Sequence, residues 1–240
     1  MKQKVLSTGG LVIGLLIASP ASAFEFSGTD VSLQYFNWWT SALNPQKAIG
    51  SANFGFELGS NLYGQFGATS AAVLGTGGGL DFGSMELHLG IHATDNIDFG
   101  VFAGVDHYLF GGAPFDYHVG AEVGFSLGAF EAEIYGGRYF EANDPAVEIF
   151  AGGAVSYAVS DAFELSAGLF YNAEPYTVWE EYYLDFAARY NVNENWFVEG
   201  IYSWQPQFAE HGVGVRIGFE TDGGTRFTNH DFTSLANSFY

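Results

Sequence analysis

The sequence predicts an all-β protein, a single antiparallel up-and-down transmembrane β-barrel of about 12 strands. Three observations predict it: a repeat of 33 residues, apolar side chains at alternate positions, and connections that alternate between short and long. Ile97, Phe130, Phe163 and Trp196 lie 33 residues apart, and each opens a run in which every second residue is apolar. One period therefore holds two strands of about 10 to 13 residues, as in a hairpin repeated around a closed sheet.

The alternation is clearest in residues 97–109 and 115–127. In each run, seven successive positions of one parity carry no carboxylate, whereas the other parity includes acids and glycines. Side chains alternate across a strand, so this pattern separates an apolar face from a polar one. Taken along the chain, it predicts strands near 30–40, 48–59, 61–70, 84–94, 96–110, 114–127, 129–141, 145–159, 162–174, 180–190, 195–204 and 209–220.

The predicted connections fall into two classes. Short turns lie near 59–61, 94–96, 127–129, 160–162 and 191–195, and longer connections lie near 41–47, 71–83, 111–113, 142–146 and 174–181. We call the two sides of the sheet the short-turn end and the long-loop end. This asymmetry is typical of outer-membrane barrels, and an even strand count places both chain ends on one side.

Residues 1–23 have the pattern of a cleaved export signal. Lys2 and Lys4 precede the apolar run 11–18, and the small residues 21–23 form a cleavage site. The run is too short to span a bilayer. A retained anchor is the alternative, but no charged stop follows the small-residue site. We expect export and a mature chain that begins at Phe24.

Composition narrows the possible partners. The formal charge is −20, and removal of Lys2 and Lys4 with the signal leaves five basic residues against 27 acids. Nucleic acid binding needs clustered Lys and Arg, so we expect no nucleic acid partner. The mature chain has no run of 18 apolar residues and no cysteine, which excludes a transmembrane helix and a disulfide framework.

A secreted β-sandwich or propeller would also alternate, because it buries one face of each sheet. The long strands and the regular period favour a membrane barrel instead, since soluble strands average about five or six residues. Aromatic side chains of the apolar parity also stand near both strand ends, where they would form two interfacial girdles. The predicted girdle residues are Phe130, Phe140, Phe163, Tyr171, Trp196 and Trp204.

Residues 212–219 resemble the last-strand assembly signal of Gram-negative porin-like outer-membrane β-barrels, with a glycine, spaced hydrophobic residues and the final aromatic Phe219. The general resemblance covers the mature chain and implies recognition by the barrel-assembly machinery. In that family the signal usually ends the chain, whereas here residues 221–240 follow. We therefore expect a barrel over 24–220 and a C-terminal tail over 221–240, unless the last strand is displaced. The tail could fill the pore or extend into the periplasm.

The polar parity predicts an acidic lumen. Rings of acids favour cations, so a path that prefers cations is expected; the alternative is a wet lumen of weak selectivity. Inward aromatic residues and the modest strand count restrict any path to small solutes, and a closed lumen is the other possibility. The predicted lining residues are Glu86, Asp98, Asp106, Asp116, His118, Glu122, Glu131, Glu133, Glu148, Glu164, Asp185, Arg189, Glu199 and Arg216.

Neither a metal centre, a cofactor nor an enzyme is predicted. His88 and His92 share a face, but four strand residues separate them by about 13 Å, too far for one ion. Folding the chain at its turns places His92 opposite Asp98 and His118 opposite Asp106. Asp106, Asp116 and His118 are the nearest approach to a catalytic set, without a convincing nucleophile.

We therefore expect an outer-membrane protein of a Gram-negative bacterium that serves as a narrow porin-like channel for small, preferably cationic solutes. The alternative is a non-conducting surface barrel that binds a partner through its loops, particularly 71–83 and 174–181. A lipid-modifying enzyme is a third, weaker interpretation. Membrane lipid and lipopolysaccharide are expected neighbours; Arg138 faces lipopolysaccharide near the long-loop end unless a bulge at Gly136–Gly137 turns it inward.

Overall fold

A computed structural model describes residues 25–39, 46–74, 80–108, 115–140, 147–173, 180–221, 225–228 and 230. The predicted export signal lies outside these residues. The described chain forms twelve strands and one short 3-10 helix. The strands are β1 (Glu25–Trp39), β2 (Gln46–Glu57), β3 (Leu62–Leu74), β4 (Leu80–Thr94), β5 (Ile97–Tyr108), β6 (Asp116–Leu127), β7 (Phe130–Phe140), β8 (Val147–Ser160), β9 (Phe163–Ala173), β10 (Glu180–Asn191), β11 (Trp196–Gln205) and β12 (Glu210–Thr221).

The twelve strands form one closed antiparallel barrel, which confirms the predicted fold class. Each strand pairs with its neighbours in sequence, and β1 pairs with β12 to close the sheet. At this seam Leu33 lies opposite Ile217 within a continuous register from Thr29–Thr221 to Trp39–His211. Closure gives every strand two partners, so the sheet has no free edge.

The outer surface is apolar, as the alternation predicts, and the interior combines polar side chains with a group of buried aromatic ones. Outward side chains remain exposed although they are large and hydrophobic, such as Leu33 at 65% and Leu127 at 73%. Of the six predicted girdle residues, Phe130, Phe140, Phe163, Trp196 and Trp204 are exposed at strand ends, and Tyr171 is half-buried against Tyr182. A continuous apolar exterior of this kind needs hydrocarbon around it.

Three strand boundaries differ from the sequence prediction by four or five residues. β1 begins at Glu25 rather than near residue 30, because a register shift between Phe26 and Gly28 reverses the alternation there. The predicted loop 71–83 is mostly strand: β3 continues to Leu74 and β4 begins at Leu80. The Ala-rich end of β3 hid this pairing because it offers little apolar contrast, and a second register shift falls between Ala71 and Ala72.

The connections explain how consecutive strands stay adjacent. Gly128 occupies the turn between β6 and β7 with φ of +62°, a conformation that glycine adopts without steric cost. The 3-10 helix Pro206–Phe208 joins β11 to β12, and Ala209 leaves it at φ of +53°. Within the described residues, the chain contains no helix of the length and hydropathy needed to cross a bilayer.

Candidate functional site

The barrel interior contains the predicted lining residues, at different depths. Those that are buried lie near the middle of their strands or pack against neighbouring strands, whereas Glu131 is exposed at the short-turn end of β7. The buried members are Glu86, Asp98, Asp106, His118, Glu122, Glu133 and Glu199. The partly buried members are Asp116, Glu148, Glu164, Asp185, Arg189 and Arg216.

At the centre of the interior, Glu86, His88, Asp106, His118 and Glu122 form a group that we call the polar cluster. Nδ1 of His88 lies 3.0 Å from both carboxylate oxygens of Glu122 on β6. Nε2 of the same imidazole lies 2.6 Å from Oε1 of Glu86. These side chains come from β4, β5 and β6, so the cluster ties three adjacent strands together on their inner face.

His118 extends the cluster toward the long-loop end. Its Nε2 lies 2.5 Å from Oε2 of Glu86, and its Nδ1 lies 3.2 Å from Oδ2 of Asp106. The predicted register was wrong here: His118 lies opposite Gly104, while Asp106 lies opposite Asp116. The contact between His118 and Asp106 is therefore diagonal, because the register differs by two residues from the one that symmetrical folding at 111–113 gives.

Two inward glycines make room for the cluster. A Cβ at Gly104 would lie 2.2 Å from Nε2 of His118, and a Cβ at Gly100 would lie 2.3 Å from Oε1 of Glu122. Side chains from β6 therefore lie directly over the backbone of β5. The two inward glycines thus leave the space that side chains of the neighbouring strand occupy.

Residues 225–228 and 230 of the C-terminal tail lie inside the barrel and reach the polar cluster. The side-chain amide of Gln65 donates to the carbonyl oxygen of Phe227 at 2.6 Å and accepts from its backbone N–H at 3.1 Å. The Phe227 ring is buried, with its centroid 5.6 Å from that of Tyr63 and 6.2 Å from that of His88. This part of the tail thus lies in the lumen, which is one of the two positions that the sequence left open.

Further contacts hold the tail on both sides of Phe227. Arg226 forms an ion pair with Asp98 at 3.1 Å. The backbone N–H and the hydroxyl of Thr228 both donate to Oε2 of Glu133, each at 3.1 Å. Asp98 and Glu133, two predicted lining residues, are therefore partners of the tail.

His230 joins the tail to the polar cluster. Its backbone N–H donates to Oε1 of Glu86 at 2.9 Å, and its Nε2 lies 2.7 Å from Oε1 of Glu133. Its ring is fully buried between Phe102 and Tyr135, with centroid separations of 4.3 and 4.0 Å.

Beside the polar cluster lies an aromatic layer of buried side chains that cross the interior. Ring contacts run from Phe102 to Phe150, Phe170 and Tyr183 at centroid separations of 6.0 to 6.3 Å. Phe36 and Trp38 continue the layer from β1. The complete layer consists of Phe36, Trp38, Phe102, Tyr135, Tyr139, Phe150, Phe170 and Tyr183. It narrows the lumen independently of the tail.

Ion pairs hold the opposite wall at the short-turn end. Arg216 donates to Glu199 at 2.7 Å, and Arg189 lies 2.5 Å from Glu220. The Arg189 guanidinium also stacks 3.7 Å above the ring centroid of Phe197. Both arginines thus contact side chains of the barrel wall. The predicted lining residues therefore include acids and also basic residues that pair with nearby acids.

His92 forms a separate contact near the same end. It lies opposite Asp98 in the register, as the folded sequence predicts, with 2.6 Å between Nδ1 and Oδ1 of Asp98. Its Nε2 lies 3.1 Å from Glu57. His92 is therefore held away from His88, in line with the separation that the strand spacing gives.

Two groups of side chains have the chemistry to hold a metal ion. One consists of Glu86, His88 and His230, and the other of Glu122, Glu133 and His230; in each, the ligand atoms lie within 4.8 Å of one another. Sequence reasoning missed these groups because His230 belongs to a segment without strand periodicity. Its separations from Glu133 and Glu86 are 97 and 144 residues, and no local pattern reports such contacts.

The acid–imidazole set considered for catalysis lies inside the barrel. His118 and Asp106 are fully buried, and His118 is held between Asp106 and Glu86. The imidazole therefore faces the interior rather than the outer apolar surface on which a lipid-modifying barrel enzyme would meet its substrate.

Comparison with known proteins identifies relatives by fold only. No family model matches the chain, and no curated protein sequence matches it. Among solved structures, the chain is similar to the KdgM porin, with a TM-score of 0.57 and 8% identity, covering 79% of this chain and 98% of that one. It is also similar to an outer membrane channel from Pseudomonas putida F1, with a TM-score of 0.53 and 12% identity, covering 85% and 97%.

A third similarity is to outer membrane phospholipase A from Escherichia coli, with a TM-score of 0.57 and 11% identity, covering 89% of this chain and 98% of that one. Channels and an enzyme thus share this architecture, so fold similarity alone does not assign an activity. The closed sheet of twelve strands, the apolar exterior and these structural relatives together give the chain the fold of a porin-like outer-membrane β-barrel protein.

Proposed function

We propose that this protein is an outer-membrane channel for small, preferably cationic solutes, and that its lumen is closed when the tail is inserted. The observation that carries the proposal is the acidic interior. Most of the predicted lining side chains are carboxylates, and all but Glu131 among them are buried or partly buried. Carboxylates enclosed by an apolar wall attract cations more strongly than the same groups in open water.

Conduction requires movement of the tail in this proposal. Phe227 and His230 occupy the interior next to the polar cluster, and the aromatic layer leaves little additional width. Residues that follow β12 leave the barrel wall at the short-turn end, so withdrawal toward that end needs no change in strand pairing. The tail is thus a movable plug, and only small solutes fit beside the aromatic layer.

The structural relatives support the proposal of a channel, but they do not indicate that this chain transports the substrates of those relatives. The KdgM porin has also been solved in complex with disordered oligogalacturonate. Oligogalacturonate carries a carboxylate on each sugar unit, and the acid-rich interior of this chain would repel it. The preference proposed here is therefore for the opposite charge.

A second candidate, a non-conducting surface barrel, is favoured by the aromatic layer. Ring contacts extend from Phe102 on β5 to Tyr183 on β10, and none of these rings belongs to the tail. Such a barrel would act through its long-loop end. The loop 174–179 lies outside the described residues, and the other proposed recognition loop is reduced to 75–79.

Other proposed contacts involve the outer surface. Arg138 is exposed on β7 in a regular register, opposite Ile149 and Val119, so its side chain lies on the lipid side rather than in a bulge. A guanidinium there suits the phosphates of lipopolysaccharide. We also assign recognition by the barrel-assembly machinery to residues 212–219, which form most of β12.

Planar-bilayer recording tests the two candidates. Purified, folded protein should give discrete ion steps, and the reversal potential in a KCl gradient should show preference for K⁺ over Cl⁻. The double variant Glu131→Gln, Glu164→Gln should reduce this preference, because both acids stand at the short-turn end of the interior. Glu194→Gln, in the exposed turn between β10 and β11, is the matched control.

Preference for Cl⁻ would contradict the proposed selectivity. Absence of ion steps from protein that migrates as a folded, heat-modifiable barrel would instead support the non-conducting candidate. Heat-denatured protein and detergent alone control for leakage.

A further inference from the structure

Glu86, His88 and His230 bring three ligand atoms to one buried point. Oε1 of Glu86 lies 2.6 Å from Nε2 of His88 and 3.3 Å from Nδ1 of His230. In a tetrahedral site with metal–ligand bonds of about 2.0 Å, ligand atoms stand about 3.3 Å apart. The atoms of Glu86 and His230 already have that separation. The atoms of Glu86 and His88 reach it when they move apart by about 0.7 Å.

Each imidazole directs a nitrogen toward Oε1 of Glu86 in a geometry that does not form a hydrogen bond. These atoms are Nε2 of His88 and Nδ1 of His230, both with negligible solvent contact. Buried polar atoms without hydrogen bonds are uncommon in folded proteins and require an explanation. A shared cation satisfies both, since neutral imidazole offers its lone pair to a metal ion.

The opposite nitrogen of each imidazole is held by a carboxylate. Nδ1 of His88 contacts Glu122, and Nε2 of His230 contacts Glu133 at 2.7 Å. Metal-binding histidines almost always direct their second nitrogen to such an acceptor, which fixes the ring and increases its basicity. The two histidines come from different segments of the chain and show the same arrangement.

Glu86 is oriented in a similar way. Its Oε2 contacts Nε2 of His118, whose other nitrogen lies 3.2 Å from Asp106. Its Oε1 remains directed at the two histidines. The surroundings are also strongly negative, because Glu122 lies 3.6 Å from Nδ1 of His230 and Glu133 contacts the other nitrogen of that ring. A divalent ion supplies the positive charge that these buried carboxylates require.

We propose that Glu86, His88 and His230 bind a divalent transition-metal ion, of which Zn²⁺ is the best probe, with Glu122 and Glu133 as positioning residues. Two imidazoles and a carboxylate suit Zn²⁺ and its first-row neighbours better than Ca²⁺ or Mg²⁺. Two ligands belong to β4 and the third to the tail, so the ion fastens the tail to the barrel wall. Binding at this point is independent of whether the barrel conducts.

Zn²⁺ binding to the full chain in detergent, followed by calorimetry and by competition with a chromophoric chelator, tests the site. We expect one equivalent of tightly bound Zn²⁺. His230→Ala should weaken binding at least about 100-fold, and Glu133→Gln should weaken it about 10- to 100-fold. His211→Ala is the matched control, because His211 contacts Tyr202 and Trp204 on β11, away from the cluster.

His230 lies after the last strand, so its replacement leaves every strand pair intact, and heat-modifiable migration verifies the barrel before titration. Equal Zn²⁺ uptake by the full chain and His230→Ala would overturn the proposal, as would stronger binding of Ca²⁺ than of Zn²⁺.

Trypsin provides a second readout for the attachment of the tail. Arg226 precedes Phe227 and is half-exposed, so cleavage after it reports withdrawal of the tail. Zn²⁺ should slow this cleavage at least tenfold in the full chain and leave the rate unchanged in His230→Ala. Protection that persists in His230→Ala would contradict a metal link. Neither measurement uses conductance, so a failed channel proposal and a failed metal proposal give different results.

Discussion

Gln65 and Phe227, 162 residues apart in the sequence, are joined by two hydrogen bonds between a side-chain amide and a peptide group. The amide of Gln65 donates to the carbonyl oxygen of Phe227 and accepts from its N–H, as a neighbouring strand would. The tail thus has a partner on β3 in addition to its contacts on β4, β5 and β7.

Gln65→Leu should loosen the tail. Loss of both hydrogen bonds leaves the inserted peptide group of Phe227 unpaired, which costs about 1–3 kcal/mol. The measurement is the rate of tryptic cleavage after Arg226, which should rise at least about fivefold at the lower limit of that range. Gln34→Leu, a half-buried glutamine on β1, is the control and should leave the rate unchanged.

Phe227→Ala should increase the open probability of the proposed channel. The ring is buried against Tyr63 and His88, and its removal takes away an apolar contact that holds the tail in the lumen. Single-channel recording measures the effect, with Phe208→Ala in the exposed 3-10 helix as the control. Unchanged gating together with faster tryptic cleavage would show that the aromatic layer, rather than the tail, limits conduction.

Gly104→Ala should destabilise the barrel. The added methyl group meets His118 at 2.2 Å and the carbonyl oxygen of Met85 at 2.9 Å. Displacing an imidazole held between two carboxylates is expected to cost about 1–3 kcal/mol. Guanidinium unfolding in detergent measures the change. Gly200→Ala on β11 meets no atom within 4 Å and should be nearly neutral.

Val101→Arg tests the apolar exterior. Val101 is exposed in the middle of β5, so arginine there costs about 2–4 kcal/mol in a bilayer but almost nothing in water. Leu127→Arg, at the short-turn end of β6, should cost at most about 1 kcal/mol because the side chain reaches the interface. Unfolding from lipid vesicles gives both values. If both substitutions left the free energy of unfolding almost unchanged, a lipid-facing surface would be contradicted.

The strands of the barrel wall could be predicted because the patterns that indicate them lie within short stretches of the sequence. Alternation assigned Ile134 to the exterior and Glu133 to the interior, and the 33-residue period gave the order of the hairpins. The prediction failed where this contrast fades: at the bulge near Gly28 and along the Ala-rich end of β3.

The interior site depends on information that alternation does not carry. Alternation gives the face of Glu86 and His88 but not the depth at which they meet Glu122 or His118, since depth follows from register and strand stagger. The tail has no strand period, so the position of His230 among them depends on specific contacts with Glu86 and Glu133.

The seam joins β1 to β12, the first and last strands of the described barrel. Until Ile217 pairs with Leu33, the sheet has two edge strands whose backbone N–H and C=O groups lack partners. Hydrocarbon cannot form hydrogen bonds with these groups. A chain truncated before β12 would therefore leave both edges open within the bilayer. The tail is synthesised after every strand that holds it, so its binding surface is complete in the chain before the tail itself emerges.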